Sequence, residues 1–139
     1  MPRIRTIKPE FFIHEGLSQL PAETHLFAAG LLCQCDDEGY FLAHPQLLKA
    51  AIFPLRDCSV SIPGMLTDLS MKIGFIRLGK GVDGRIWGQV VHFLNHQKVN
   101  HPSLSKIKDL QIVWEDSLNL HGIFPESSPR KGKERKGKE

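Results

Sequence analysis

Ser61-Ile62-Pro63-Gly64-Met65-Leu66-Thr67-Asp68-Leu69-Ser70-Met71-Lys72-Ile73-Gly74 is the stretch whose reading decides the fold. Ile62, Met65, Leu66, Leu69 and Ile73 fall at i, i+3, i+4, i+7 and i+11, the apolar stripe of a 3.6-residue helix. Ser61 is placed to cap the first turn, Pro63 fits that turn, and Gly74 stands where a left-handed C-cap is expected. Immediately afterwards the period changes. Phe75-Ile76-Arg77-Leu78 and Arg85-Ile86-Trp87-Gly88-Gln89-Val90-Val91 read as two strands joined by a Gly-Lys-Gly-Val-Asp-Gly turn.

Working back from Ser61, Pro45 opens a helix with Leu47, Leu48, Ala51 and Ile52 on one side, and Pro54 stops it. Tyr40-Phe41-Leu42 is a short strand after the Asp36-Asp37-Glu38-Gly39 turn. Pro21-Ala22-Glu23 starts another helix that runs to about Cys35, with Leu26, Phe27, Gly30 and Leu31 marking one face. Helix, short strand, helix, helix and two-stranded ribbon is the order of a winged helix-turn-helix. The expected class is therefore α+β, mainly α, with a winged-helix domain over residues 1–105 that includes an N-terminal arm. The stripe is expected to be buried against Leu26, Leu31, Leu47, Leu48 and Trp87. Past Val91, residues 92–105 read as extended and polar, and 104–114 as one short helix. Residues 106–139 form a linker ending in a disordered Lys/Gly/Glu tail.

The chain carries 18 Lys/Arg and 15 Asp/Glu, but the balance is uneven. Residues 129–139 hold six cations and two acids, leaving twelve cations and thirteen acids for the other 128 residues. The basic pI belongs to the tail, so only local patches of the folded part can hold a polyanion. Three cysteines, Cys33, Cys35 and Cys58, are an odd number, and no apolar run follows the opening charges as a secretory leader requires. A reducing cytoplasm is the expected compartment. No apolar run is long enough to span a bilayer, so no membrane partner is expected.

The opening, Met1-Pro2-Arg3-Ile4-Arg5-Thr6-Ile7-Lys8-Pro9-Glu10-Phe11-Phe12, sets three cations among apolar residues ahead of an anchor that must be buried. It resembles the start of a family of phage and prophage replication proteins, the replisome-organiser type with an N-terminal winged helix. Asp36-Asp37-Glu38-Gly39 with Leu48-Lys49-Ala50-Ala51-Ile52-Phe53-Pro54 resembles the middle of that domain. Ile73-Gly74-Phe75-Ile76-Arg77 is similar to its helix-to-wing junction, and Asn95-His96-Gln97-Lys98-Val99-Asn100-His101-Pro102 to its closing motif. The resemblance spans roughly residues 1–105. It implies DNA binding in replication initiation and recruitment of a replicative helicase or its loader.

Four groups of side chains are candidates for DNA contact. Arg3, Arg5 and Lys8 form an arm of the kind that enters a minor groove. Arg77, Lys80 and Arg85 flank the hairpin tip, where cations reach phosphate, although charged tips also serve solubility and Asp83 favours that reading. On the outward side of the third helix, Thr67, Ser70 and Lys72 are the positions that would face a groove. That helix offers no Arg, Asn or Gln for bidentate base contacts, so it serves equally as a partner surface. Lys98, near His92, His96 and His101, gives a further segment that could follow a backbone.

A metal site is not expected: Cys33 and Cys35 are two apart in a helix, and no CxxC pairs accompany the histidines. Neither a Gly-x-x-x-x-Gly-Lys-Ser/Thr phosphate loop nor a Gly-x-Ser-x-Gly elbow is present, so the chain is read as a non-enzyme without cofactors. The rivals to DNA binding are a winged helix that docks replisome proteins with little DNA contact, and a transcription regulator.

Overall fold

The computed structural model describes residues 2–97, 105–107 and 110–114. Two short helices, α1 (Glu10–Ile13) and α2 (Glu15–Ser18), precede α3 (Ala22–Gln34), β1 (Tyr40–Leu42), α4 (Pro45–Ile52) and α5 (Ile62–Thr67). A π-helical turn, Asp68–Lys72, continues α5 and leads into the hairpin of β2 (Ile76–Gly81) and β3 (Ile86–Val90). A one-turn helix, α6 (Phe93–His96), and the strand β4 (Ile112–Trp114) complete the described elements. The result is a mixed α/β arrangement whose four strands form one antiparallel sheet in the order β1-β3-β2-β4.

Local chemistry explains the helix ends. The Leu47 amide donates to His44 Nδ1 at 3.3 Å, and the Gly64 amide to Ser61 Oγ at 3.1 Å, so α4 and α5 each start on a side-chain cap followed by proline. Gly74 has φ +64°, the left-handed conformation that ends the segment. Between these points α5 does not run through as one regular helix. The five residues after Thr67 widen to the π form, and the Phe75 amide donates to the Leu69 carbonyl at 2.8 Å.

Ile62, Met65, Leu66 and Leu69 are buried, with Phe27, Ala28, Leu31 and Leu32 of α3, Leu48 of α4, and Phe41, Ile76, Leu78 and Val90 of the sheet in the same core. Ile73 packs at its margin. Three expected core members are elsewhere. Leu26 and Leu47 are 52% and 56% exposed, because Phe27 and Leu48 occupy the inward side of their helices. Trp87 lies half-buried on the opposite face of the sheet from Leu78 and Val90, as strand alternation requires of a residue between Ile86 and Gly88.

Two expectations beyond Val91 are corrected. Residues 93–96 form a helical turn rather than extended chain, and its first residue, Phe93, is buried. Residues 112–114 form a strand rather than part of a helix, paired to β2 with Gly79 opposite Trp114 and Gly81 opposite Ile112. Ile112-Val113-Trp114 is β-branched and aromatic, and a waiting strand edge decides such a triplet. The opening anchor also divides: Phe11 is buried, whereas Phe12 is 66% exposed. Among the described residues no helix is long and apolar enough to cross a membrane.

Candidate nucleic-acid interface

The arm is built into the molecule. The Arg5 guanidinium donates to the Leu32 and Cys35 carbonyls at 3.3 and 2.9 Å and to Asp37 at 3.1 Å, and it stands 5.1 Å from the Phe93 ring centroid. Its side chain is 6% exposed and that of Asp37 4%. Arg3 makes a 2.7 Å ion pair with the same carboxylate, and its amide donates to the Cys33 carbonyl. Lys8 Nζ donates to the Asn95 carbonyl at 2.8 Å, while Gln97 brackets Thr6 through Oε1 and Nε2. The expectation of a free arm is corrected for Arg5: a guanidinium with these partners and almost no exposure is a clamp between the arm and the α3–β1 turn. Arg3 and Lys8 keep their exposure, although both hold a partner.

The third-helix group separates in the same way. Thr67 is half-buried, and its Oγ1 is buried without a hydrogen-bond partner among the described residues. A hydroxyl turned inward is poorly placed to read a base, and it is Thr67 of the expected group that the structure turns this way. Ser70 is half-buried. Lys72 remains exposed and makes a 3.5 Å contact with Asp68 one turn earlier, a surface pair of little energy.

At the hairpin, Lys80 and Arg85 are exposed at the tip, and neither forms an ion pair among the described residues. Asp83 is occupied locally, accepting from the Arg85 amide at 3.1 Å and from Trp87 Nε1 at 3.2 Å. Arg77 is differently employed. Its Nε donates to Gln89 at 2.8 Å and its guanidinium stands 3.9 Å from the Trp114 ring centroid. The arm packs beside Phe93, past the end of β3 that lies away from the hairpin tip, and the four residue steps of β3 alone span about 13 Å. Arm and tip do not converge on one patch. Lys98, and with it His101, lies outside the described residues.

Sequence reasoning missed the outward face of the sheet. Alternation along paired strands puts Tyr40, Leu42, Arg77, Trp87, Gln89 and Trp114 on the side away from Phe41, Leu78 and Val90. The signal was available in the period-two pattern of β3, where Arg85, Trp87 and Gln89 alternate with Ile86, Gly88 and Val90. Nothing in the sequence announced β4, which brings Trp114 to this face.

Cys35 is not set up as a nucleophile. Cys35 donates from Sγ to the Leu31 carbonyl at 3.2 Å, and burial pushes its pKa well up, the opposite of an activated thiolate. Among the described residues no cluster of His, Cys, Asp or Glu is arranged to hold a metal ion. No family model matches this chain, and no curated protein or solved structure is found to be similar to it.

Proposed function

We propose that this chain is a winged-helix DNA-binding protein that acts in phage or prophage replication initiation and helps to recruit helicase machinery. The order α3-β1-α4-α5-β2-β3, with β1 paired to β3, supports the winged-helix reading. The sequence resemblance over residues 1–105 supports the replication role. The observation that carries DNA binding is the hairpin tip, where Lys80 and Arg85 project from the sheet with no acid paired to either among the described residues. Backbone phosphates are the chemistry such a tip fits, with Lys72 as a further cation on the third helix.

Lys80→Ala with Arg85→Ala tests the reading. Duplex affinity should fall about equally for unrelated sequences, and the slope of log K against log salt should flatten by about 0.9 for each phosphate that is no longer neutralised. A double variant that binds duplex as tightly as wild type at two salt concentrations would sink the DNA reading. A docking module for replisome proteins is the second reading. The engagement of Arg3, Arg5 and Lys8 within the molecule favours it, since the arm then contributes less free charge.

A further inference from the structure

An outward sheet face on a small domain is ordinarily polar, because water covers it. Here it carries Tyr40, Trp87 and Trp114, and the chain has only two tryptophans. Two glycines let the indoles approach the strand backbone closely. A Cβ at Gly79 would come within 2.9 Å of Trp114 Cε3, and one at Gly81 within 3.0 Å of Trp87 Cδ1. The Arg77 guanidinium covers one side of the Trp114 ring at 3.9 Å, so the planes that this face offers are that guanidinium and the half-buried Tyr40 and Trp87 rings. The Tyr40 and Trp114 centroids are 6.3 Å apart at 31°, and the exposed Arg77 guanidinium stands over Trp114. Arg85 adjoins Trp87 on the same side by alternation, while Asp83 is the acid at that end, occupied by Trp87 Nε1.

We propose that this face is a stacking platform for the unpaired bases of a single-stranded polynucleotide, with Arg77 and Arg85 meeting its phosphates. Three chemical points choose that occupant. Indole, phenol and guanidinium planes are the groups on which unpaired bases stack, whatever their sequence. The two cations against one engaged acid suit a polyanion better than a neutral apolar segment. A duplex has its bases already stacked and cannot use the rings. The platform shares Arg85 with the tip proposed to grip duplex DNA and differs from it in its rings and in Arg77, since Lys80 lies on the other side of β2 from Arg77 and Gly79.

Both tryptophans sit on the platform, so the intact chain reports on itself. Titration with a dT oligonucleotide, a U oligonucleotide, a hairpin duplex and heparin should quench tryptophan emission with the two single strands and not with the duplex or the base-free polyanion. The dT and U arms distinguish DNA from RNA. Trp87→Leu should weaken single-strand binding about tenfold while Trp87→Phe retains it, and duplex binding should be unchanged in both. Unfolding curves of the variants exclude a folding defect, and the wild-type quenching arms stand without any variant. Quenching by heparin equal to that by dT would reduce the effect to polyanion attraction and overturn the platform. Absence of quenching at low salt would overturn it as well. So would sedimentation showing that Trp87→Leu dissociates a dimer, which would make the face a contact between copies.

Discussion

Arg5 brings a positive charge into a place that water scarcely reaches, and it is tolerated there because the Asp37 carboxylate and two main-chain carbonyls replace the lost solvation. Arg5→Ala should therefore cost about 3 kcal/mol in chemical unfolding, since it takes the buried guanidinium away from the Asp37 carboxylate and two main-chain carbonyls. Arg3→Ala, with a side chain 44% exposed on the same acid, should cost about 0–1 kcal/mol. Equal losses would show that the clamp is shared rather than centred on Arg5. Glu23 ties α3 to the 59–60 segment: the Ser59 hydroxyl donates to it at 2.6 Å and the Val60 amide at 2.7 Å, and these bonds hold its carboxyl below its ordinary pKa. Protonation breaks the tether, so its contribution is fully present above the ordinary carboxyl range and is lost as pH falls through the lowered value. A carboxyl-carbon NMR titration should show Glu23 turning over below the ordinary glutamate range. Cys35, buried and bonded to a carbonyl, should resist a thiol reagent that labels the unfolded chain at all three cysteines.

At the scale of elements, α5 and its π turn bear most on both folding and the DNA question. Leu66 is fully buried, and Leu66→Ala should cost about 2–5 kcal/mol. Thr67 tests whether this helix reads bases. Its inward hydroxyl lacks a partner among the described residues, so Thr67→Val should stabilise the protein by roughly 1 kcal/mol and leave any DNA sequence preference unchanged. A shifted preference would show that the hydroxyl reaches a base after all. In the hairpin, Gly79 is demanded by its neighbours, since a Cβ there would sit 2.7 Å from the Val113 carbonyl oxygen as well as against the indole. Gly79→Ala should force β4 away from β2 and show the loss in Trp114 emission.

For the whole molecule, β4 is the element that joins the far end of the described chain to the wing. A chain ending after Leu110 loses the β2–β4 pairing and the packing of Trp114 on Gly79. It should melt roughly 10 °C below a chain ending after Trp114, as loss of about 2 kcal/mol of burial in a domain of this size implies. Coincident melting curves would mean that the strand adds little to the fold.

Much of the architecture was legible because it is written in local chemistry. The caps at Ser61 and Gly74, the proline starts at 21 and 45, and the change from a 3.6 to a 2.0 period after Ile73 act over a few residues and need no distant partner. The helices α3 to α5, β1 and the hairpin followed from them, as did the burial of the Ile62 to Leu69 stripe. The fates of cations and aromatics were not legible. Arg5 reads as a free arm charge until Asp37, 32 residues away, is brought beside it. Trp87 reads as core until the pairing of β3 with β1 and β2 assigns the two faces of the sheet. Ile112-Val113-Trp114 reads as helix until the edge of β2 offers hydrogen bonds that a lone segment cannot find. Sequence by itself determined where elements start, stop and turn their apolar sides. Tertiary structure decided which charges are spent inside and which rings face out, because burial and pairing depend on groups far apart in the chain.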